Sequence, residues 1–423
     1  MPAQSLSFEQ WIAQGRGRTV HSELERRGLL TRSMLGDAGV PCPGCGGRDR
    51  FAVNFKKDVW NCRASGIGGD AIALAQHIDG STFLVAVETV LGEPPPGRGS
   101  TESDEERRVR EDRLARARAD FERREQDDAK TAQRFRERER WAAWKLWTSA
   151  APIAGTMAEA YLGLRGVEAP PGARLRFHAN APLWDRPKDQ GGKIIHFGPA
   201  LIAAIEGASG RFSGVQRTWI DLAQPKGKAL IVHPETGEIL PAKKARGSIK
   251  GGAILLVKGR DGSDFPGDCK PARRLFLGEG IETVLSVYCA MREANDPLLE
   301  GAEFRAAVDL GNLCGPAAGR IPHPTLKKAD RNGVERRLFV PNNEPKDDPA
   351  FPLIPIARSV DDLWLLGDGD SEPFFTRMAL ERAGKRFSRA YPWLVIRLFM
   401  ATAGRDFNDM RLASLRTAAE ACA

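Results

Sequence analysis

Arg274-Leu275-Phe276-Leu277-Gly278-Glu279-Gly280-Ile281-Glu282-Thr283 is the stretch on which the fold turns. Three apolar residues bounded by Arg274 and Gly278 read as a buried strand, and Glu279 stands at its carboxyl end. Gly280 then permits a tight turn into a helix. Leu363-Trp364-Leu365-Leu366-Gly367-Asp368-Gly369-Asp370 repeats the plan, an apolar strand ending in two carboxylates at alternate positions. A weaker third instance is a strand at 394–396, followed after a short loop by Gly404-Arg405-Asp406-Phe407-Asn408-Asp409. Apolar runs at 275–277, 338–340, 363–366 and 394–396 alternate with helical stretches at 282–291 and 376–383, the pattern of βαβ units and a parallel sheet. In such sheets ligands gather outside the carboxyl ends of the strands. Three strand ends offering oxygen ligands form a site for a hard divalent cation, Mg2+ or Mn2+. Such ions catalyse phosphoryl transfer by neutralising charge on the phosphate and activating a hydroxyl. Singly, Glu-Gly is more often a turn and Asp-Gly-Asp a solvated loop; their order carries the reading.

In that order the motifs resemble the Toprim domain shared by primases, type IA and type II topoisomerases and some nucleases. That family has a strand ending in Glu-Gly, a later strand ending in Asp-x-Asp, and a final acidic turn. The resemblance implies that Glu279 is the general acid/base or a metal ligand, that Asp368 and Asp370 are catalytic metal ligands, and that Asp406 and Asp409 complete the magnesium site. Bacterial replicative primases carry an acidic residue four beyond the first Glu, where this chain has Thr283. The variant GEGIET is familiar among mobile-element primases, and Asp406, Asp409 or Glu372 are candidates for the missing charge.

The segment before these strands holds the charge. The formal net charge is +8; residues 1–100 carry 11 basic and 10 acidic side chains, 101–140 carry 13 and 13, 141–270 carry 18 and 11, and 271–423 carry 21 and 21. Nearly all the excess therefore lies at 141–270, where a positive neighbour to the carboxylates would hold polyanions. It concentrates at Arg211 to Lys228 and at Lys243 to Lys250, the first holding Phe212-Ser213-Gly214-Val215-Gln216-Arg217-Thr218-Trp219-Ile220-Asp221 and then Pro225-Lys226-Gly227-Lys228. The 212–221 and 225–228 stretches, with Gly155-Thr156, Glu159-Ala160-Tyr161-Leu162 and Arg165-Gly166, resemble the subdomain that precedes Toprim in primases. The resemblance implies that Arg217, Lys226 and Lys228 meet nucleotide phosphates and template, and the charge concentration adds Lys243 and Lys244 as nucleotide or DNA contacts.

Further out, Cys42-Pro43-Gly44-Cys45 is a CxxC turn, and Cys62 follows with 16 residues between, the spacing of two-knuckle zinc sites. Zinc takes four tetrahedral ligands in structural sites, but three beyond Cys62 stands Ser65, a poor ligand. His77, His21, Asp70 or a water are the alternatives. Arg48, Arg50, Phe51, Phe55, Lys56, Lys57 and Trp60 interleave charge with aromatics, a composition suited to single-stranded nucleic acid; Arg50 and Trp60 are the leading contacts. Residues 41–70 resemble the zinc ribbon at the front of primases from bacteria, phages and mobile elements, CPxCGGxDRF then CxxCGxGGD, with Ser65 where that pattern has cysteine. Seven cysteines in 423 residues are too sparse and odd in number for a disulfide framework.

At about 150 residues per domain the length predicts about three folded units. Residues 94–99 (PPPGRG) break any helix, and 101–140 read as a solvated helix laced by i,i+4 pairs without an apolar stripe. The expected fold is multi-domain α/β: a zinc-ribbon module at 1–93, a charged helical linker at 94–140, a mixed α+β basic subdomain at 141–270 and a Toprim-like domain with a parallel sheet at 271–423. No apolar run approaches the ~18 residues of a membrane span, and Glu9 stands where a signal peptide is apolar; the expectation is cytoplasmic, with no membrane partner. No GxxxxGK[ST] cradle occurs, so a helicase partner would be a separate chain. As a whole the chain resembles DnaG-like primases of the phage or plasmid type. That resemblance implies a DNA-directed RNA polymerase making short primers on a single-stranded DNA template from ribonucleoside triphosphates, with Mg2+ and Zn2+ as cofactors. Two other readings stand beside it: a Toprim metal-dependent nickase or nuclease, and a non-catalytic single-stranded-DNA-binding accessory protein, motivated by Ser65 and Thr283.

Overall fold

The computed structural model describes residues 7–35, 39–96, 104–186, 191–258, 271–329 and 335–422, in two compact units, Met1–Gln133 and Arg134–Ala423. The break expected at 94–99 falls partly outside the described residues, as does Cys269. Among the described residues no helix is long and apolar enough to cross a membrane.

The first unit begins with α1 (Phe8–Arg16), which Ser7 and Gln10 close with a reciprocal capping box, and α2 (Val20–Arg26). Four antiparallel strands follow in sequence order, β1 (Val40–Cys42), β2 (Gly46–Asn54), β3 (Val59–Cys62) and β4 (Ile67–Gly69). Asp70 caps α3 (Ala71–Asp79), accepting from Ala73 N at 2.9 Å, and α4 (Phe83–Leu91) follows. Val20, Leu24, Phe51, Trp60 and Leu74 form the core under the sheet. Arg27 is buried beside it and donates to both oxygens of Asp79 at 2.7 Å and to Glu23. The buried guanidinium is thus held between two carboxylates, the arrangement that lets a charge sit in a core.

The charged stretch is one helix, α5 (Asp104–Ser149). The subdomain expected to begin at 141 thus opens with the end of that helix, whose Ala143, Leu146 and Trp147 pack into a core of the second unit. There α6 (Met157–Leu164) precedes β5 (Leu175–Trp184), β6 (Ile194–Glu206), β7 (Phe212–Trp219), a short hairpin of β8 (Ile231–Val232) and β9 (Ile239–Leu240), and β10 (Lys243–Gly247). The first sheet is antiparallel in the order β10-β7-β6-β5. Side chains alternate across a strand, and β6 uses both faces: Leu201, Ala203 and Ile205 enter one core, Ala200, Ile202 and Ala204 the other.

The chain then runs through β11 (Ile254–Val257), β12 (Arg274–Gly278), α7 (Ile281–Glu293), β13 (Ala302–Ala306), α8 (Leu310–Cys314), β14 (Arg320–Ala329), β15 (Glu335–Pro341), β16 (Asp362–Gly367), α9 (Pro373–Ala390), β17 (Val395–Met400) and α10 (Phe407–Cys422). The second sheet has the order β11-β13-β12-β16-β17, parallel except at its β11 edge. The parallel sheet expected from the alternating pattern is present, built on buried Leu275, Phe276, Leu277, Phe304, Leu363 and Leu365, each contributing about 1.5–3 kcal/mol by burial. One strand departs from expectation. Residues 338–340 lie in β15, which among the described residues pairs with β14 alone as a separate antiparallel ribbon; Pro322 and Pro324 in its partner lack the amide donors a central strand needs.

Candidate metal centres and nucleic-acid groove

In the first unit the β1–β2 turn and β3 bring Cys42, Cys45 and Cys62 together, and α3 lowers His77 onto them. The four ligand atoms lie within 4.8 Å of one another, with Cys42 Sγ 3.1 Å from His77 Nε2 and Cys45 Sγ 3.3 Å from Cys62 Sγ. Three sulfurs and one imidazole at that spacing fit tetrahedral zinc. Of the alternatives the sequence left open, His21 packs edge-on against Phe55 and Asp70 caps α3. Ser65 hydrogen-bonds to Cys62: burial pushes the Cys62 thiol up, but the Ser65 hydroxyl and the neighbouring amides bring it below the ordinary value. Cys42, more deeply buried, is pushed up to about 12, as expected of a thiol whose counter-charge would be a metal. Trp60 is 2% exposed, stacked on Phe51 and on His77. It is a wall of this cluster and offers no face to a base, which corrects its expected role as a DNA contact. Arg50 remains exposed on β2.

In the second unit Glu279 follows β12 directly, and Gly280 is the N-cap of α7. A Cβ at Gly278 would come within 2.8 Å of Val284 Cγ2 and 3.2 Å of Leu366 Cβ, so glycine lets helix and strands close beneath the carboxylate. Asp368 follows β16, and Thr283 Oγ1 donates to its Oδ2 at 2.9 Å and its Oδ1 at 3.2 Å. The residue that departs from the resembled pattern therefore fixes the first Asp of the pair. Gly369 is enclosed by the carbonyls of Ala401, Thr402 and Arg405, and a Cβ there would stand 2.5 Å from Thr402 O. Gly369 N donates to Arg405 O at 3.0 Å and Gly404 N to Gly369 O at 2.7 Å. The two acidic turns are thus stitched together, and Asp406 comes near enough to Asp368 to act on its charge. Asp370 is exposed on the same turn.

The charges at this edge oppose one another. Burial, then Asp406 and Glu279, raise Asp368 to about 6, against hydrogen bonds from Thr283 and the Phe407 amide. Burial and the nearby Asp309 and Asp370 raise Glu279, against Lys243 and the Leu310 amide. Asp309 was not anticipated. It follows β13 after Val308, a buried β-branched residue at φ 76°, a conformation such residues rarely hold, and it caps α8 by accepting from Asn312 N at 2.7 Å. The signal was present as another strand followed by an acid, Ala307-Val308-Asp309. Asp406 accepts from the Asp409 amide, and Asp409 lies 3.4 Å from Lys226 Nζ. Among the described residues the 4.8 Å spacing is met by the Cys/His set and not by these carboxylates; an oxygen-bound cation that keeps several waters does not require it.

The five basic residues expected to act together separate into two places. Lys226 reaches Asp409, Lys228 lies 2.9 Å from Glu282, and Lys243 donates to Val308 O at 3.3 Å beside Glu279. Burial would raise Glu282, but Lys228 and the Tyr161 hydroxyl hold it at about 2. Lys244 and Arg217 are directly paired across β10 and β7, as are Lys243 and Thr218 one residue earlier. Strand alternation therefore sends Lys243 to the carboxylate side and Lys244 with Arg217 to the opposite face. There they line a groove of about 720 Å³ with Arg136, Arg246, Lys250 and Trp184. Arg217 is 4% exposed, donates to Pro182 O at 2.8 Å, and is lowered to about 10 by burial and by Arg246. Its Nε has no hydrogen-bond partner.

Residues 137–256 match a family described only as a domain of unknown function (DUF7146). No curated protein matches. Among solved structures, the chain is similar to the zinc-binding and RNA polymerase domains of the Aquifex aeolicus primase, at 12% identity and TM-score 0.34, over 96% of this chain and 84% of that one. It is also similar to a DNA primase domain from Pseudomonas aeruginosa, at 12% identity and TM-score 0.35 over 66% and 77%, and to the E. coli primase catalytic core, at 15% identity and TM-score 0.33 over 67% and 78%.

Proposed function

We propose that the chain is a primase-type nucleotidyltransferase that makes short RNA primers on single-stranded DNA from ribonucleoside triphosphates. The observation that supports this best is the convergence of Glu279, Asp368, Asp370 and Asp406 at one sheet edge beside Lys243, where burial and mutual repulsion raise Glu279 and Asp368. That is the donor set of a hard divalent cation, held by Glu279, Asp368 and Asp370 with Asp406 behind them. When bound, such an ion supplies neutralisation of phosphate charge and activation of the primer hydroxyl. Thr283 orients Asp368; Lys226 and Lys243 meet the triphosphate; Glu279, its proton affinity raised by burial, is the general base. The groove lined by Arg217 and Lys244 takes the template strand, with Trp184 as a stacking face. The first unit, with zinc on Cys42, Cys45, Cys62 and His77, selects template through Arg50 and its basic neighbours.

Incubation with single-stranded DNA, labelled ribonucleotides and Mg2+ is expected to give oligoribonucleotides, and Asp370→Ala to lower the yield on the order of 100-fold. Absence of product on every template, with Asp370→Ala indistinguishable from wild type, would overturn the reading. Nicking of supercoiled plasmid without nucleotides would instead assign the same edge to a nuclease.

A further inference from the structure

The neutral balance of residues 271–423 hides a local asymmetry. Residues 320–341 carry six basic and two acidic side chains, and the structure sets Arg320, Lys327, Lys328, Arg336 and Arg337 on the β14–β15 ribbon. Two successive cross-strand pairs there are cation against cation, Lys327 opposite Arg337 and Lys328 opposite Arg336. Because side chains alternate, one pair lies on each face. Like charges directly opposite destabilise a sheet, and a two-stranded ribbon is marginal in water to begin with. All four side chains are exposed. Glu335, the one carboxylate within the two strands, stands 3.5 Å from Lys327 across an exposed contact, which offsets little.

The base of the ribbon is fixed beside the carboxylate edge. His323 is 2% exposed, and its Nδ1 accepts from Leu326 N at 2.8 Å, leaving Nε2 2.9 Å from Glu372 Oε1. Glu372 caps α9 two residues beyond Asp370. Arg382 of α9 donates to Asn342 O at the end of β15. The repulsive cations are therefore carried on a projection rooted next to the Asp368–Asp370 turn.

We propose that the β14–β15 ribbon is a second nucleic-acid contact, in which Lys327, Lys328, Arg336 and Arg337 grip the backbone phosphates of the strand passing the carboxylate edge. This rests on the primase reading for the identity of that strand, but the contact itself is electrostatic. A linear polyanion adds counter-charge to these exposed cations, and a two-stranded ribbon is of a size to enter or straddle a nucleic-acid groove. Each phosphate neutralised contributes about 0.9 to the slope of log affinity against log salt on B-DNA, and about 0.7 on a single strand.

The test is fluorescence anisotropy of the full chain in a NaCl series, without nucleotides or divalent metal, on a single-stranded DNA, a DNA duplex and an RNA–DNA hybrid. The quadruple variant K327A/K328A/R336A/R337A is expected to bind at least one probe about 10-fold more weakly at low salt, with a slope shallower by about 2 to 4. The most affected probe identifies which form the ribbon holds. The charge-keeping variant K327R/K328R/R336K/R337K is expected to bind like wild type. Unchanged affinity and slope for the alanine variant on all three probes would overturn the proposal, as would an equal loss in the charge-keeping variant, which would make the effect structural. Because no catalysis is read, failure of the primase reading leaves this outcome distinguishable.

Discussion

The cysteine–histidine cluster of the first unit and the carboxylate edge of the second are both assembled from separate elements, yet their ligand atoms are spaced differently. Thiols and an imidazole can all be neutral, so packing of α3 on the hairpin draws four ligand atoms to within 4.8 Å. Carboxylates at strand ends repel, so they stay further apart, and burial with mutual charge raises Glu279 and Asp368. A thiol and imidazole cluster can thus be closed by the fold alone, whereas a set of carboxylates is spaced by repulsion and steadied by amide and hydroxyl donors.

The sharpest way to break this contrast is at His77. His77→Ala is expected to lower zinc affinity on the order of 100-fold, read by chelator competition, while leaving Mn2+ binding by the second unit unchanged. Zinc retention equal to wild type would remove His77 from the ligand set. On the other side, Thr283→Val should weaken Mn2+ binding about 10-fold and Thr283→Ser should restore it, because the hydroxyl positions Asp368; equal binding by all three would show that the edge needs no such support.

Smaller effects test the two faces of the first sheet. Lys243→Ala is expected to weaken nucleotide binding a few-fold and spare single-strand binding, while Lys244→Ala does the reverse. The same response in both variants would contradict the separation by strand alternation.

The mildest test concerns proton linkage in metal-free protein. With Asp368 at about 6 when folded and 3.8 as its ordinary value, the folded state binds the proton more tightly, so stability falls as pH rises from about 4 to about 6. Asp368→Asn removes this loss. It should be more stable than wild type by about 1 kcal/mol at pH 8, reduced from the full shift by solvent screening at this half-buried position, and equal to it below about pH 4. Denaturant melts in EDTA measure this, and a variant less stable at pH 8 would refute the assigned charge balance.

How much of this was legible follows from what each signal measures. Apolar runs ending in acids placed Glu279, Asp368 and Asp406 correctly at the ends of β12 and β16 and after β17, because a strand's residues report their own burial. Leu338–Val340 misled because an apolar triplet does not reveal its neighbour; the prolines of the partner strand put it in a ribbon instead. Trp60 misled likewise, since an aromatic among cations reads as a stacking platform until Phe51 and His77 cover both its faces. His77 could be named but not chosen, since its place depends on how α3 packs. Asp309 went unnoticed because its strand, 302–306, alternates buried and half-buried residues and lacks the apolar run of the others.

The sequence by itself determined the parallel sheet, the cysteine turn, the charged helix and the position of the excess charge, all of which are properties of contiguous residues. Only the tertiary structure decided which side chain stands beside the three cysteines, the Thr283–Asp368 contact, and the division of Lys243 from Lys244. It alone also turned a locally basic hairpin into a cationic projection beside the carboxylates. Those are facts about which distant elements meet and which face of a strand they meet on. A single-residue change of register reverses the face, and composition carries no record of it.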